Sequence, residues 1–150
     1  MITKQMINDF LTPKKMAIAG VSRNPKKFGY QVYQELLKKD FQILPINPKA
    51  DKIGDAQCYK DVTSLPDGTE NLYIVTPKSN TTDIVKQAID KKIKRIWVQQ
   101  MSDNPEAIQL AQNSDIELIY KKCILMFAEP VNGPHKFHRF FAKIFGRLPK

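Results

Sequence analysis

Apolar residues along the chain fall into short runs that alternate between two periods. Residues 3–11 place Met6, Ile7, Phe10 and Leu11 at helical spacing before Pro13, which predicts a short amphipathic helix. Residues 15–19 read as a buried strand. After a polar loop, Phe28, Val32 and Leu36, flanked by Tyr33 and Leu37, form the stripe of a helix ending near Lys39. Residues 41–46 form a second strand, in which Pro45 removes a donor and favours a place near the strand end.

The stretch 47–68 is a long connection, with residues 57–59 expected as a short edge strand and 61–65 as a helical turn. Residues 72–76 (LYIVT) are apolar on both faces, as a central parallel strand is. Asn80 is expected to cap the next helix, with Asp83 in capping-box position and Ile84, Val85, Ala88 and Ile89 facing inward. Residues 95–99 (RIWVQ) form a strand, 103–114 a helix with Asn104 as cap and Pro105 first, and 116–120 (IELIY) the last strand. Strands alternating with helices of this length predict an α/β fold. The expected architecture is a doubly wound, mostly parallel sheet of five to six strands with helices on both faces, three layers α/β/α. Residues 1–130 are assigned to this domain. Residues 131–150 read as a basic amphipathic tail, with Phe137, Phe140, Phe141, Ile144 and Phe145 on one face and Lys136, Arg139, Lys143 and Arg147 on the other.

In such a sheet ligands bind beyond the carboxyl ends of the strands, where the strand order switches. The residues there are Gly20-Val21-Ser22-Arg23, Asn47-Pro48-Lys49, Thr76-Pro77-Lys78, Gln99-Gln100-Met101 and Lys121-Lys122-Cys123. They are polar, basic and nearly free of carboxylates. The first set has the layout of a phosphate-cradling strand–loop–helix unit, although Ser22 and Pro25 stand where G-x-G-x-x-G requires its second and third glycines. Gly20 lets backbone approach a phosphate, Ser22 can donate to it, and Arg23, Lys26 and Lys27 bring positive charge. Helix amides around 26–29 face the same anion. A site for NAD carries an acidic residue after the second strand for the ribose hydroxyls. Asn47-Pro48-Lys49 instead suits an adenosine with an additional ribose phosphate, as in NADP or coenzyme A. Pro77 offers a ring to pack on adenine, or a helix-entry corner. Cys123 is either a lining residue or a small buried filler.

Composition adds one constraint. Lys and Arg number 24 against 15 Asp and Glu, a net charge of +9, which favours polyanionic partners: nucleic acid, a membrane surface or a phosphorylated small molecule. No apolar run approaches the ~20 residues that span a bilayer and no export signal is visible, so a cytoplasmic protein is expected. Cys58 and Cys123 have no metal-ligand spacing, and no metal site is expected. His135 and His138 both lie in the tail with no Ser, Cys or Asp paired to them in sequence. No catalytic set is visible, and a binding module is expected rather than an enzyme.

The ordered set Gly20-x-Ser22-Arg23-Asn24-Pro25, Ile46-Asn47-Pro48, Thr76-Pro77, Trp97-x-Gln99 and Cys123 resembles the small stand-alone CoA-binding domain proteins. These are related to the CoA-binding domain of succinyl-CoA synthetase α subunits and of ADP-forming acyl-CoA synthetases, and the resemblance covers residues 5–127. It implies a Rossmann-like fold that binds CoA or an acyl-CoA. Gly20, Val21, Ser22 and Arg23 would hold the phosphates, with Lys26 beside them. Asn47, Pro48 and Lys49 would lie by the adenosine and its ribose phosphate, and Thr76 and Pro77 on the nucleotide with Gln99 nearby. Two loops depart from the family pattern: Gln100-Met101 replaces a usual glycine, and Lys121-Lys122 precedes the cysteine. The phosphate-carrying histidine of the synthetases has no counterpart, so their activity is not implied. Two other readings stand beside this one. One is an NAD(P)-binding oxidoreductase-like domain, opposed by the missing glycines and the missing second domain. The other is a basic protein that meets a membrane or nucleic acid through its tail, whose aromatic face could also pack across a homodimer.

Overall fold

The computed structural model describes residues 1–128; the expected amphipathic tail lies outside them. Helix α1 (Lys4–Leu11) starts where Thr3 Oγ1 accepts the Met6 N–H at 3.2 Å. Strand β1 (Lys15–Ala19) leads to helix α2 (Phe28–Lys38) and strand β2 (Gln42–Ile46). A small antiparallel hairpin, β3 (Lys52–Ile53) and β4 (Ala56–Gln57), interrupts the long connection. Strand β5 (Asn71–Ile74), helix α3 (Lys78–Asp90), strand β6 (Arg95–Gln99), helix α4 (Pro105–Gln112) and strand β7 (Glu117–Lys122) complete the order, followed by a 3₁₀ turn at Ile124–Met126.

The five main strands form one parallel sheet in the order β2-β1-β5-β6-β7. Alternation along each strand divides the core in two. Met16, Ile18, Ile43, Tyr73, Trp97 and Ile119 point to one face, which α1, α2 and the 3₁₀ turn cover. Ala17, Ala19, Leu72, Ile74, Ile96 and Val98 point to the other, under α3 and α4. The largest anchor is Trp97, fully buried, with the Phe10 ring edge-on at 5.5 Å and its Nε1 donating to Lys122 O at 2.9 Å. The expected three-layer Rossmann-like architecture is therefore the observed one.

Three local expectations change. Residues 57–59 do not form an edge strand: Ala56–Gln57 pairs with Lys52–Ile53, and Tyr59 makes a single parallel bridge to Ile46. Pro45 sits on that outer strand, and its carbonyl takes the Tyr59 N–H at 2.8 Å, so the donor it lacks is not needed there. Residues 61–65 form turns, with Asp61 Oδ1 accepting from Thr63 Oγ1 and Ser64 N at 2.7 and 2.8 Å. Helix α3 begins at Lys78, so Pro77 and not Asn80 stands at its cap position. Pro77, at φ −53°, already holds the turn-like φ that admits the helix, and Asn80 N–H reaches back to Pro77 O at 3.0 Å. Asn80 and Asp83 are thereby freed from capping and lie on the helix wall.

Candidate functional site

The chain leaves β1 for α2 on one face of the sheet and leaves the adjacent β5 for α3 on the other. Connections that diverge from neighbouring strands open a crevice between them. Here it is a cleft of about 630 Å³, lined at its strand ends by Gly20, Val21, Ser22, Asn47, Pro48, Thr76 and Pro77.

Two glycines shape its mouth. Gly20 has φ +103°, and a Cβ there would lie 2.8 Å from both C and O of Val75; the residue must be glycine for β1 to pass β5 at this point. A Cβ on Gly29 would overlap Gly20 O. Gly29 thus allows the close helix approach that the third fingerprint glycine supplies elsewhere. It comes four residues later than Pro25 because the loop is longer, and its position directly inside the α2 start was the available signal. Between them the loop is self-ordered: Asn24 N–H donates to Ser22 Oγ, and Lys26 N–H to Asn24 Oδ1, each at 3.0 Å. The Ser22 oxygen serves as an acceptor here, which leaves its O–H free to point outward. Helix α2 then begins at Phe28, with Lys27 at its cap position making no side-chain cap.

Asn47 fastens the second loop to the first. Its Nδ2 donates to Val21 O and its Oδ1 accepts from Lys49 N, both at 2.8 Å. Beneath it the Cys58 thiol donates toward Asn47 O at 3.8 Å, and burial pushes that thiol up from its ordinary pKa. Across the cleft the buried Thr76 hydroxyl meets Thr81 Oγ1 at 3.2 Å, and Thr81 donates to Ser102 O at 2.6 Å. Arg23, Lys26 and Lys49 are exposed and do not line the cleft, although the loops that carry them do.

Gln99 and Cys123 lie elsewhere, in the core below the neighbouring loops. Gln99 is 1% exposed, and its Oε1 accepts from Tyr73 OH at 2.7 Å and Ile124 N at 3.3 Å. Cys123 is buried beside it; burial pushes its thiol up, against a weaker downward pull from the Gln99 amide. The cause is a register shift: Val98 pairs with Tyr120 but Gln99 with Lys122, so Lys121 is an extra residue at φ 59°. Met101, in the Gln100-Met101 pair that departs from the resembling family's pattern, takes φ 75° and is 60% exposed.

Several lining residues escaped the strand-end reasoning because they come from the long connection and from α3: Lys60, Asp61, Val62, Asp83, Ile84 and Gln87. Lys60 is held by Asp51 at 2.9 Å. The Thr63 hydroxyl bond, with help from Ser64, holds the Asp61 carboxyl below the ordinary carboxylate pKa. The cleft therefore has carboxylates that the strand ends lack.

Residues 14–129 match the CoA binding domain family. Among curated proteins, the chain is 24% identical over 132 residues to the α subunit of an ADP-forming acetate–CoA ligase II of Pyrococcus furiosus, covering 79% of this chain and 28% of that protein. It is 34% identical over 82 residues to an ADP-forming acetate–CoA ligase of Methanocaldococcus jannaschii, covering 55% and 12%. The chain thus spans less than a third of the length of these relatives. Among solved structures it is similar to a hypothetical protein from Pyrococcus horikoshii OT3, with TM-score 0.80 and 29% identity over 88% of this chain and 94% of that one. A conserved hypothetical protein from Pyrococcus furiosus gives TM-score 0.71 and 31% identity, over 73% and 95%. The family match runs through all five strands of the main sheet and every loop that closes on the cleft, and the chain belongs to the CoA binding domain family.

Proposed function

We propose that the cleft holds coenzyme A or an acyl-CoA and that the chain binds it without chemistry of its own. The diphosphate lies on Gly20, Val21 and Ser22 at the start of α2, with Arg23 and Lys26 on the rim. The adenosine and its ribose phosphate lie by Asn47, Pro48 and Lys49, with Thr76 and Pro77 on the opposite side. The observation that carries this reading is the contact between Gly20 and Gly29, which brings loop backbone against the start of a helix that has no side-chain cap. Such a junction presents amides and the positive end of the helix to an anion. The ~630 Å³ of the cleft suits a small-molecule ligand. The non-catalytic part is supported by the lining: among the described residues it contains neither histidine nor cysteine. Both thiols are buried and pushed up in pKa, which keeps them protonated and poor nucleophiles.

Calorimetric titration of ligand-stripped protein with CoA, dephospho-CoA, NADP and NAD tests this. CoA is expected to bind and NAD not to. Lys49→Gln combined with Arg23→Gln should weaken CoA by about tenfold or more, and dephospho-CoA far less. No binding of CoA, or tighter binding of NADP, overturns the reading. Equal losses for CoA and dephospho-CoA remove Lys49 from the ribose phosphate.

A further inference from the structure

The connection that follows β4 leaves the sheet edge at Tyr59 and crosses to α3, where Val62 N–H donates to Gln87 Oε1 at 3.0 Å. That bond occupies the acceptor of the Gln87 amide and fixes which of its atoms is which. Its Nε2 donor has no partner among the described residues. One turn earlier on the same helix face, Asp83 also lines the cleft, and its carboxylate has neither a hydrogen bond nor an ion pair among the described residues. Asp61, the other lining carboxylate, differs: its Oδ1 is already engaged by Thr63 and Ser64. Ile84 and Val62 give the same region apolar surface. The α3 wall therefore offers one donor and one acceptor side by side on an apolar ground. This is the complement of a flat ring that carries an acceptor next to a donor.

We infer that Gln87 and Asp83 read the amino edge of the adenine base, Gln87 Nε2 donating to ring nitrogen N1 and Asp83 accepting from the exocyclic 6-amino group. The inference rests on the CoA reading above and adds a specificity element to it. The same pair sets the ligand's direction. A phosphate placed beside Asp83 meets like charge, so the anionic part is driven toward the Gly20–Ser22 loop and Lys49, and the neutral base toward α3.

The probe is CoA against 1,N6-etheno-CoA, in which the added ring occupies both N1 and the amino nitrogen and leaves every phosphate unchanged. Wild-type protein is expected to bind CoA about tenfold or more tightly than the etheno compound. Asp83→Ala should lower CoA affinity, leave etheno-CoA unchanged and bring the ratio close to one. Gln87→Glu keeps an acceptor for Val62 N–H while removing the donor; it should reduce the ratio in the same way with the thermal midpoint retained. If Asp83→Ala lowers the thermal midpoint, Asp83→Leu, which also removes the acceptor and suits a helix position, supplies the same comparison, and a ratio that falls toward one supports the inference. Equal wild-type affinity for the two ligands, or a ratio left at its wild-type value in these variants, overturns the inference while CoA binding stands. Failure of wild-type protein to bind either ligand overturns the underlying reading instead.

Discussion

The loops after β1, β2 and β5 and the loops after β6 and β7 lie at the same end of one sheet, yet only the first group surrounds the cleft. Around β1 and β5 the connecting helices depart to opposite faces, and the space between them stays open. Around β5 and β6 both helices pack on one face, and side chains tie their starts together. Thr82 Oγ1 donates to Asn104 Oδ1 at 3.1 Å, Asn104 Nδ2 to Lys78 O at 2.7 Å, and Thr81 to Ser102 O. Beneath the β6–β7 end, Gln99 takes up two donors from the core. A strand end becomes a site where the chain diverges, and becomes packing where it does not.

The sharpest break of this contrast is Gly29→Ala. The new methyl has backbone in its way, not a flexible side chain, so the loop or the helix must move. A loss of about 3 kcal/mol or more in chemical denaturation is expected, with CoA binding lost in what remains folded. A loss under about 1 kcal/mol would mean that the two elements are not pressed together, and the phosphate loop would lose its main support. Next in size is Asn47→Ala, which removes one bond between the loops and one within the second loop and leaves Val21 O and Lys49 N to water. About 1–2 kcal/mol of stability should go, with CoA affinity falling about tenfold because the loops are no longer held for the ligand. Unchanged affinity would show that the clamp serves the fold alone.

The sealed region should respond to pH instead of ligand. Burial raises the Cys123 thiol above its ordinary 9.0, so the folded state keeps that proton to higher pH than the unfolded chain does. The sign follows: the contribution is fully present below about pH 9 and is lost as pH rises through the folded value. Unfolding measured from pH 7 to 10 should therefore show falling stability at the alkaline end. Cys123→Ala should flatten part of the slope, the raised Cys58 thiol and the raised Tyr33 and Tyr73 hydroxyls contributing to what remains, and should leave CoA affinity within about twofold. A slope unchanged by the substitution would mean that the thiol is not sealed from water.

The sequence carried the architecture because each face of the sheet is written in alternate residues, Met16 and Ile18 against Ala17 and Ala19, and that pattern needs no tertiary knowledge. It also carried the seven strand-end residues of the cleft, since position after a strand is a local property. The α3 wall was not legible. Asn80 and Asp83 satisfy a capping pattern, and only the placement of Pro77 one residue before the helix shows that the cap lies elsewhere. Gln87 is one polar residue on an ordinary helix until Val62, 25 residues away, is found bonded to it. Gln99 and Cys123 are the reverse case. They stand at strand ends like the others, but the extra residue Lys121 and the stitched α3 and α4 starts place them inside the core.

The smallest expected effect tests the boundary of the sealed region. Met101 holds φ 75° with its side chain 60% exposed, a backbone state that costs a non-glycine residue about 1–2 kcal/mol. Met101→Gly relieves that strain but gives the unfolded chain more freedom, worth about 0.5–1 kcal/mol in the other direction. A net gain of up to about 1 kcal/mol is expected in denaturation. Because the loop is tied to the packed side of the β5–β6 junction through Ser102 O, CoA affinity should stay within about twofold. Stabilisation without a change in affinity keeps the far loops as packing. A several-fold change in affinity would move the edge of the site across β6, and the division between open and sealed strand ends would have to be redrawn around Met101.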